Sequence, residues 1–209
     1  MCCTEGGGQP LPFFATHLIL FAKAPTPGLA KTRLIPALGS EGAAALARNL
    51  FLHTVDVALL AGFACLELSL TPAATDTQWQ EISLPAQVIL SDQGEGDLGE
   101  RMARAARRAT LPMLLIGTDC LEMSVPLLHE AAHALQQHQA VIYPSADGGY
   151  ALLGLQRFHP SLFQGVHWST SSVAAETLQR IHTLRWSLFI GPTLHDLDRP
   201  EDLPTFFAR

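Results

Sequence analysis

The sequence predicts an α/β fold built on a mostly parallel sheet, and three observations carry that expectation. Apolar segments of strand length alternate with longer segments whose apolar residues recur at helical spacing. One segment, 112–117 (PMLLIG), is apolar almost throughout, as a central parallel strand covered on both faces must be. Another, 18–23 (LILFAK), runs straight into a basic loop, where open α/β sheets place ligands beyond the carboxyl ends of their strands. With 209 residues, 48% hydrophobic and 15% charged, the chain can bury a substantial core. Residues 16–209 are therefore read as one domain behind a flexible tail, 1–15.

The first strand and its loop, LILFAKAPTPGLAKTRL at 18–34, break on Pro25, Pro27 and Gly28 and then deliver Lys31, Thr32 and Arg33. Lys31-Thr32 follows Ala30, so this is no P-loop, which needs a glycine directly before its lysine. Lys23, Lys31 and Arg33 instead offer side-chain charge to an anion such as a phosphate, with Gly28 shaping the turn.

Ser40 is placed to cap a helix to about residue 61, carrying Leu46, Leu50, Val57 and Leu60 on one stripe. His53 shares that stripe and is read as packed. Strands are expected at 63–70 and 87–90, with a short helix or loop at 76–81 between them. In 93–109 (QGEGDLGERMARAARRA), Gly94, Gly96 and Gly99 permit close backbone approach, and Asp97 can cap a helix with Leu98, Met102, Ala105 and Ala109 facing inward. Arg101 is near enough to the glycine loop to touch a ligand, whereas Arg104, Arg107 and Arg108 are expected on a solvated face.

After the 112–117 strand comes Thr118-Asp119-Cys120, and Asp119 is the first candidate among the carboxylates. The following helix, about 124–137, contains His129-Glu130-Ala131-Ala132-His133, a literal match to a zinc-protease pattern. It is rejected, because relative to Leu128, Ala131, Ala132 and Leu135 both histidines project sideways or outward, and the extended pattern's third histidine is absent. A strand at 139–144 leads to Asp147, Gly148 and Gly149, whose glycines suit close approach to a substrate or an ordinary turn. An extended run at 151–155, a helix at 172–181 and a strand at 184–190 follow. In the last segment, 194–203, Asp196 and Asp198 alternate along extended chain and so face the same way.

The net charge of −6 argues against a nucleic-acid partner. Four cysteines without metal-ligand spacing, no secretory leader and no expected transmembrane stretch point to a cytoplasmic protein without a membrane span. No activated serine is suggested, and Cys120 follows an aspartate that raises its thiol pKa. Mg²⁺ is usually held by one or two carboxylates together with substrate phosphates, so Asp119 and the Asp196/Asp198 pair could share one ion with a nucleotide. Lys23, Lys31 and Arg33 would then balance the phosphate charge.

The succession FAK-x-P-x-PG-x-x-KTRL, QG-x-GDLGERM, LLIGTDC, DGGYALLGL, WST and D-x-D-x-PEDL, spanning residues 17–203, resembles a bacterial family of uncharacterised glycosyltransferase-A-like proteins often described as radical-SAM-associated. The wider superfamily is the nucleotide-diphospho-sugar transferases. The resemblance implies a three-layer α/β/α sandwich of glycosyltransferase-A type and a transferase using Mg²⁺ or Mn²⁺. Its donor would be a nucleotide sugar or, as in the superfamily's cytidylyl- and guanylyltransferases, a nucleoside triphosphate, and its acceptor a small molecule. A catalytically silent nucleotide-binding module is the further alternative.

By the same resemblance Lys31 and Arg33 meet the phosphates, Asp119 and Asp198 hold the metal, and Gly96 and Asp97 lie near the nucleobase; Lys31, Arg33 and Asp119 are the catalytic candidates, and Lys23, Gly28 and Arg101, from their place on the two loops, complete the nucleotide-binding set. Asp147, Gly148, Gly149 and Trp168 are expected on the acceptor side. The chain departs from the superfamily in having Arg199 where a threonine follows the second aspartate, Leu121 where the family commonly has proline, and no full D-x-D after the central strand.

Overall fold

The computed structural model describes residues 14–110 and 112–203. The tail expected at 1–15 lies outside the described residues up to position 13, and positions 14 and 15 already belong to the first strand.

Among the described residues seven strands form one mixed sheet: β1 (Phe14–Lys23), β2 (Phe63–Thr71), β3 (Ile89–Asp92), β4 (Met113–Ile116), β5 (Ala140–Pro144), β6 (Tyr150–Leu155) and β7 (Leu188–Ile190). Their order is β3-β2-β1-β4-β6-β5-β7. β6 alone runs against its neighbours β4 and β5; the other described strands are parallel, so β1, β4 and β5 end at the same edge. Among the described residues four α-helices cover the sheet: α1 (Ile35–Leu60), α2 (Leu98–Arg108), α3 (Val125–Gln137) and α4 (Val173–Thr183).

The alternation of β1 divides the core. Leu18, Leu20 and Ala22 pack with Phe51 and Val55 of α1 and Leu128 and Ala131 of α3, whereas Ile19 faces Met102 and Ala105 of α2 and Ile181 of α4. The result is the expected three-layer sandwich. A smaller cluster of Leu34, Ala43, Leu46, Leu50 and Leu197 ties the last segment to the start of α1.

Several boundaries differ from the expectation for local reasons. α1 begins before Ser40 because Pro36 opens a first turn, and Gly39 (φ 70°) breaks the helix just ahead of Ser40. Residues 32–60 together are long and apolar enough to cross a membrane by length and composition alone, contrary to the expectation that no stretch is. In the fold this is the helix whose buried face, from Ala43 to Ala58, covers β1 and β2. β3 sits two residues later than expected, in register with 67–70 of β2. The strand expected at 184–190 shrinks to β7, because the chain leaves α4 through Arg185 (φ 55°) and buries Trp186 in the core.

Candidate active site

The parallel carboxyl ends of β1, β4 and β5 open into a cleft of about 840 Å³. Lys31 enters it from the β1 loop. Its backbone is left-handed (φ 46°), and Ala30 and Leu34 are buried on either side, so the chain is held while the side chain turns inward to only 5% exposure. Asp119 follows β4, on a loop that His53 holds at the carbonyls of Leu121 (3.1 Å) and Met123 (3.3 Å). The last segment is fixed by Leu197, which buries its side chain in the small cluster and donates its N–H to the Asp119 carbonyl at 2.9 Å. The alternation expected on either side of Leu197 turns Asp196 and Asp198 toward Lys31.

Lys31 Nζ lies 2.6 Å from Asp119 Oδ1 and 2.7 Å from Asp198 Oδ1, while Arg33 stands 3.6 Å from Asp198 Oδ2. Burial alone would lower the Lys31 pKa, but the two carboxylates outweigh it and hold the ammonium above its ordinary value. Asp196 is pushed up to about 7 by burial first and then by Asp119, Asp147 and Asp198, with partial relief from Lys31. Burial, then Asp196, pushes the Cys120 thiol up to about 11, which agrees with reading it as no nucleophile.

Of the residues singled out from the sequence, Lys23, Lys31, Arg33, Arg101, Asp119, Asp147, Gly149, Trp168 and Asp198 line this cleft. Lys23 also donates to the Leu29 carbonyl at 2.8 Å and so braces its own loop. Arg101 bonds to the Gly96 carbonyl at 3.0 Å, and Asp147 accepts from Ser145 at 2.5 Å and from the Gly149 N–H at 2.9 Å. Burial opposes ionisation of Asp147, but these donors lower its pKa.

Gly28, Gly96, Asp97 and Gly148 do not line it. Asp97 is occupied by the capping box of α2, bonding the Glu100 N–H while Glu100 bonds back. Gly148 (φ 91°) runs so close beneath the Ser171 backbone that a Cβ would overlap it. The residues that sequence reasoning passed over are the hydroxyls of Ser145, Ser169, Thr170 and Ser171 beside Trp168. WST was a visible block, but nothing in its spacing placed it in the same cleft as Asp147.

Two further expectations are settled by packing. Of the three arginines expected on a solvated face, Arg107 and Arg108 are exposed and Arg104 is half-buried, yet each also has a partner: Arg108 pairs with buried Glu67 at 2.6 Å, Arg104 bonds the carbonyls of Gln93 and Glu95, and Arg107 lies 4.9 Å above the Phe158 ring. The zinc-protease look-alike is dismantled, since His129 bonds the Ala61 carbonyl at 2.8 Å and Glu130 accepts from Tyr143 at 2.6 Å.

The donors suit a hard cation. Asp119, Asp196 and Asp198 offer only oxygen, and the repulsion of Asp119 and Asp198 adds to burial in raising the Asp196 pKa. Among the described residues no three His, Cys, Asp or Glu side chains already form a metal-binding group. Two carboxylates completed by substrate oxygens is the fit, as is usual for Mg²⁺.

A family of proteins conserved in bacteria, DUF2064, described as uncharacterized, matches residues 54–170, and the chain belongs to it. No curated protein matches the sequence. Among solved structures, one from Desulfovibrio desulfuricans G20, described as a candidate nucleotide-diphospho-sugar transferase, is 28% identical with a TM-score of 0.86, over 92% of this chain and 86% of that one. The Rv0371c protein of Mycobacterium tuberculosis H37Rv, in complex with manganese, is 19% identical with a TM-score of 0.55, over 92% and 97%. CMP:2-keto-3-deoxy-manno-octonic acid synthetase complexed with CTP is 10% identical with a TM-score of 0.58, over 92% and 97%. The last two share the fold.

Proposed function

We propose, from the geometry of the cleft, that the protein is a metal-dependent transferase acting on a nucleotide-activated substrate, with a nucleotide sugar as donor. The observation that carries the reading is the convergence of Asp119 and Asp198, from segments far apart in sequence, on one buried lysine at the carboxyl edge of the sheet. The Desulfovibrio relative's description as a nucleotide-diphospho-sugar transferase supports it.

Asp119 and Asp198 would hold Mg²⁺ or Mn²⁺. A bound ion would supply Lewis-acid stabilisation of the donor's diphosphate as it leaves. Lys31 and Arg33 neutralise phosphate oxygens beside it, and Arg101 and Lys23 extend the positive wall. Across the cleft, Asp147, Trp168 and the hydroxyls of 169–171 offer a hydrogen-bonding and stacking surface suited to a polyhydroxylated ligand.

A second reading, nucleotidyl transfer from a nucleoside triphosphate with release of pyrophosphate, is favoured by the concentration of cations on the β1 loop, which suits a longer anionic chain. It is also supported by the fold shared with the CTP-bound synthetase.

A thermal-shift panel with Mg²⁺ or Mn²⁺ separates the two. A ligand at about a hundred times its dissociation constant adds roughly 2.7 kcal/mol, enough to move the midpoint by several degrees. Stabilisation by one nucleotide sugar supports the first reading, and stabilisation by a triphosphate alone supports the second. No metal-dependent response to either class contradicts both.

A further inference from the structure

The lysine between the two carboxylates has a geometry that a phosphate-binding residue does not require. Its Nζ is almost equidistant from Asp119 Oδ1 and Asp198 Oδ1, at 2.6 and 2.7 Å, at the short end of charge-assisted hydrogen bonds. A divalent ion held by those oxygens would stand about 2.0–2.1 Å from each for Mg²⁺, in the space the ammonium occupies. Ammonium and ion therefore compete for the same two oxygens. The backbone cannot yield, since Lys31 sits in a left-handed conformation between buried Ala30 and Leu34, with the Leu34 N–H on the Lys31 carbonyl at 2.8 Å. The four-carbon stem can. The chain has one other lysine, Lys23, which is exposed and bonded to the Leu29 carbonyl.

We propose that Lys31 is a resident cation: in the free protein its ammonium holds Asp119 and Asp198 together in place of a divalent ion, and the joint arrival of ion and nucleotide transfers it to the phosphates. The proposal rests on the reading above that these carboxylates hold an ion with a nucleotide. It makes Lys31 the element that couples the two ligands. An ion alone must displace the ammonium with no new partner for it, whereas an ion bound to phosphates brings that partner along. Each ligand then raises the affinity for the other by the same factor. Asp198 is not abandoned in the exchange, because Arg33 remains near its second oxygen.

The test uses Mn²⁺ alone, its free concentration read by electron paramagnetic resonance, on the wild-type chain and on Lys31→Met, which keeps the stem and removes the charge. The expected result is Mn²⁺ binding tighter by about tenfold or more in the variant without nucleotide, and lost again when Asp119→Asn is added. A second readout needs no variant. Acetylation of the two lysines in the wild-type chain, resolved by mass spectrometry, should rise at Lys31 as Mn²⁺ is titrated, with Lys23 as the internal reference. Equal Mn²⁺ affinity in wild type and Lys31→Met, with binding abolished by Asp119→Asn, overturns the resident-cation role and leaves the ion-binding reading standing. Should Lys31→Met fail to fold, unchanged Lys31 labelling under saturating Mn²⁺ overturns it equally. No Mn²⁺ binding to any form, with or without nucleotide sugars or triphosphates, removes the ion-binding reading and the proposal with it.

Discussion

Above about pH 7, Asp196 ionises where burial and the carboxylates of Asp119, Asp147 and Asp198 all oppose its charge. In the unfolded chain the same group ionises near 3.8. Between roughly pH 4 and 7 the folded state therefore keeps a proton that the unfolded state has lost, and stability falls as pH rises through this window before levelling off. Asp196→Asn should abolish that loss. In metal-free protein the variant should be more stable than wild type at pH 8 by about 1–3 kcal/mol, the gap closing toward pH 4, as urea unfolding at the two pH values would show. A gap independent of pH would mean that Asp196 is not held in this way. Asp119 was legible in the sequence because an acid directly after a central strand has one natural destination. Asp196 and Asp198 could be placed on one side of the chain but not told apart: burial by the neighbouring cluster, not residue type, gives them different surroundings.

The elements carry a second kind of information, seen best in α2. Its cap was readable, since Asp97 three residues before Glu100 is a local pattern, and that pattern occupies the very carboxylate that family resemblance assigned to the nucleotide. The partner of Arg108 was not readable, because Glu67 comes from β2, far away in sequence. Glu67 lies at 3% exposure, with Arg108 2.6 Å away, the Ser91 hydroxyl at 2.5 Å and His17 Nε2 at 3.1 Å. Burial would raise its pKa, but these donors outweigh it and bring it down to about 2. Its contribution to stability is therefore full above its ordinary value of 4.5 and is lost as pH falls toward 2. Arg108→Ala should cost about 1.5–3 kcal/mol at neutral pH, the deficit narrowing below pH 3 as Glu67 protonates. Ligand-induced stabilisation should be unchanged, since Arg108 does not line the cleft. A lost ligand response with unchanged stability would place Arg108 in the site after all.

At the scale of the whole molecule, one topological fact organises the rest. Because β1, β4 and β5 run the same way, their loops meet at one edge, and the small cluster around Leu197 brings the last segment of the chain to the same place. The strands and helices were largely visible in the sequence, since periodicity and apolar runs are local properties. The order of the strands was not, because it depends on which strands pair, and neither was the meeting of Asp147 and residues 169–171 in one cleft, which rests on the Gly148 turn packing against Ser171. On the proposed reading, Asp119 and Asp198 form one ion-dependent nucleotide site. Calorimetric titration of the most stabilising nucleotide into wild type, Asp119→Asn and Asp198→Asn, each with Mg²⁺ and with chelator, tests it most directly. Wild type is expected to bind at least about tenfold more tightly with Mg²⁺, a difference of roughly 1.4 kcal/mol, and each variant to lose that increment. Equal wild-type affinity with and without the ion, or variants that keep the Mg²⁺-dependent increment, would contradict it.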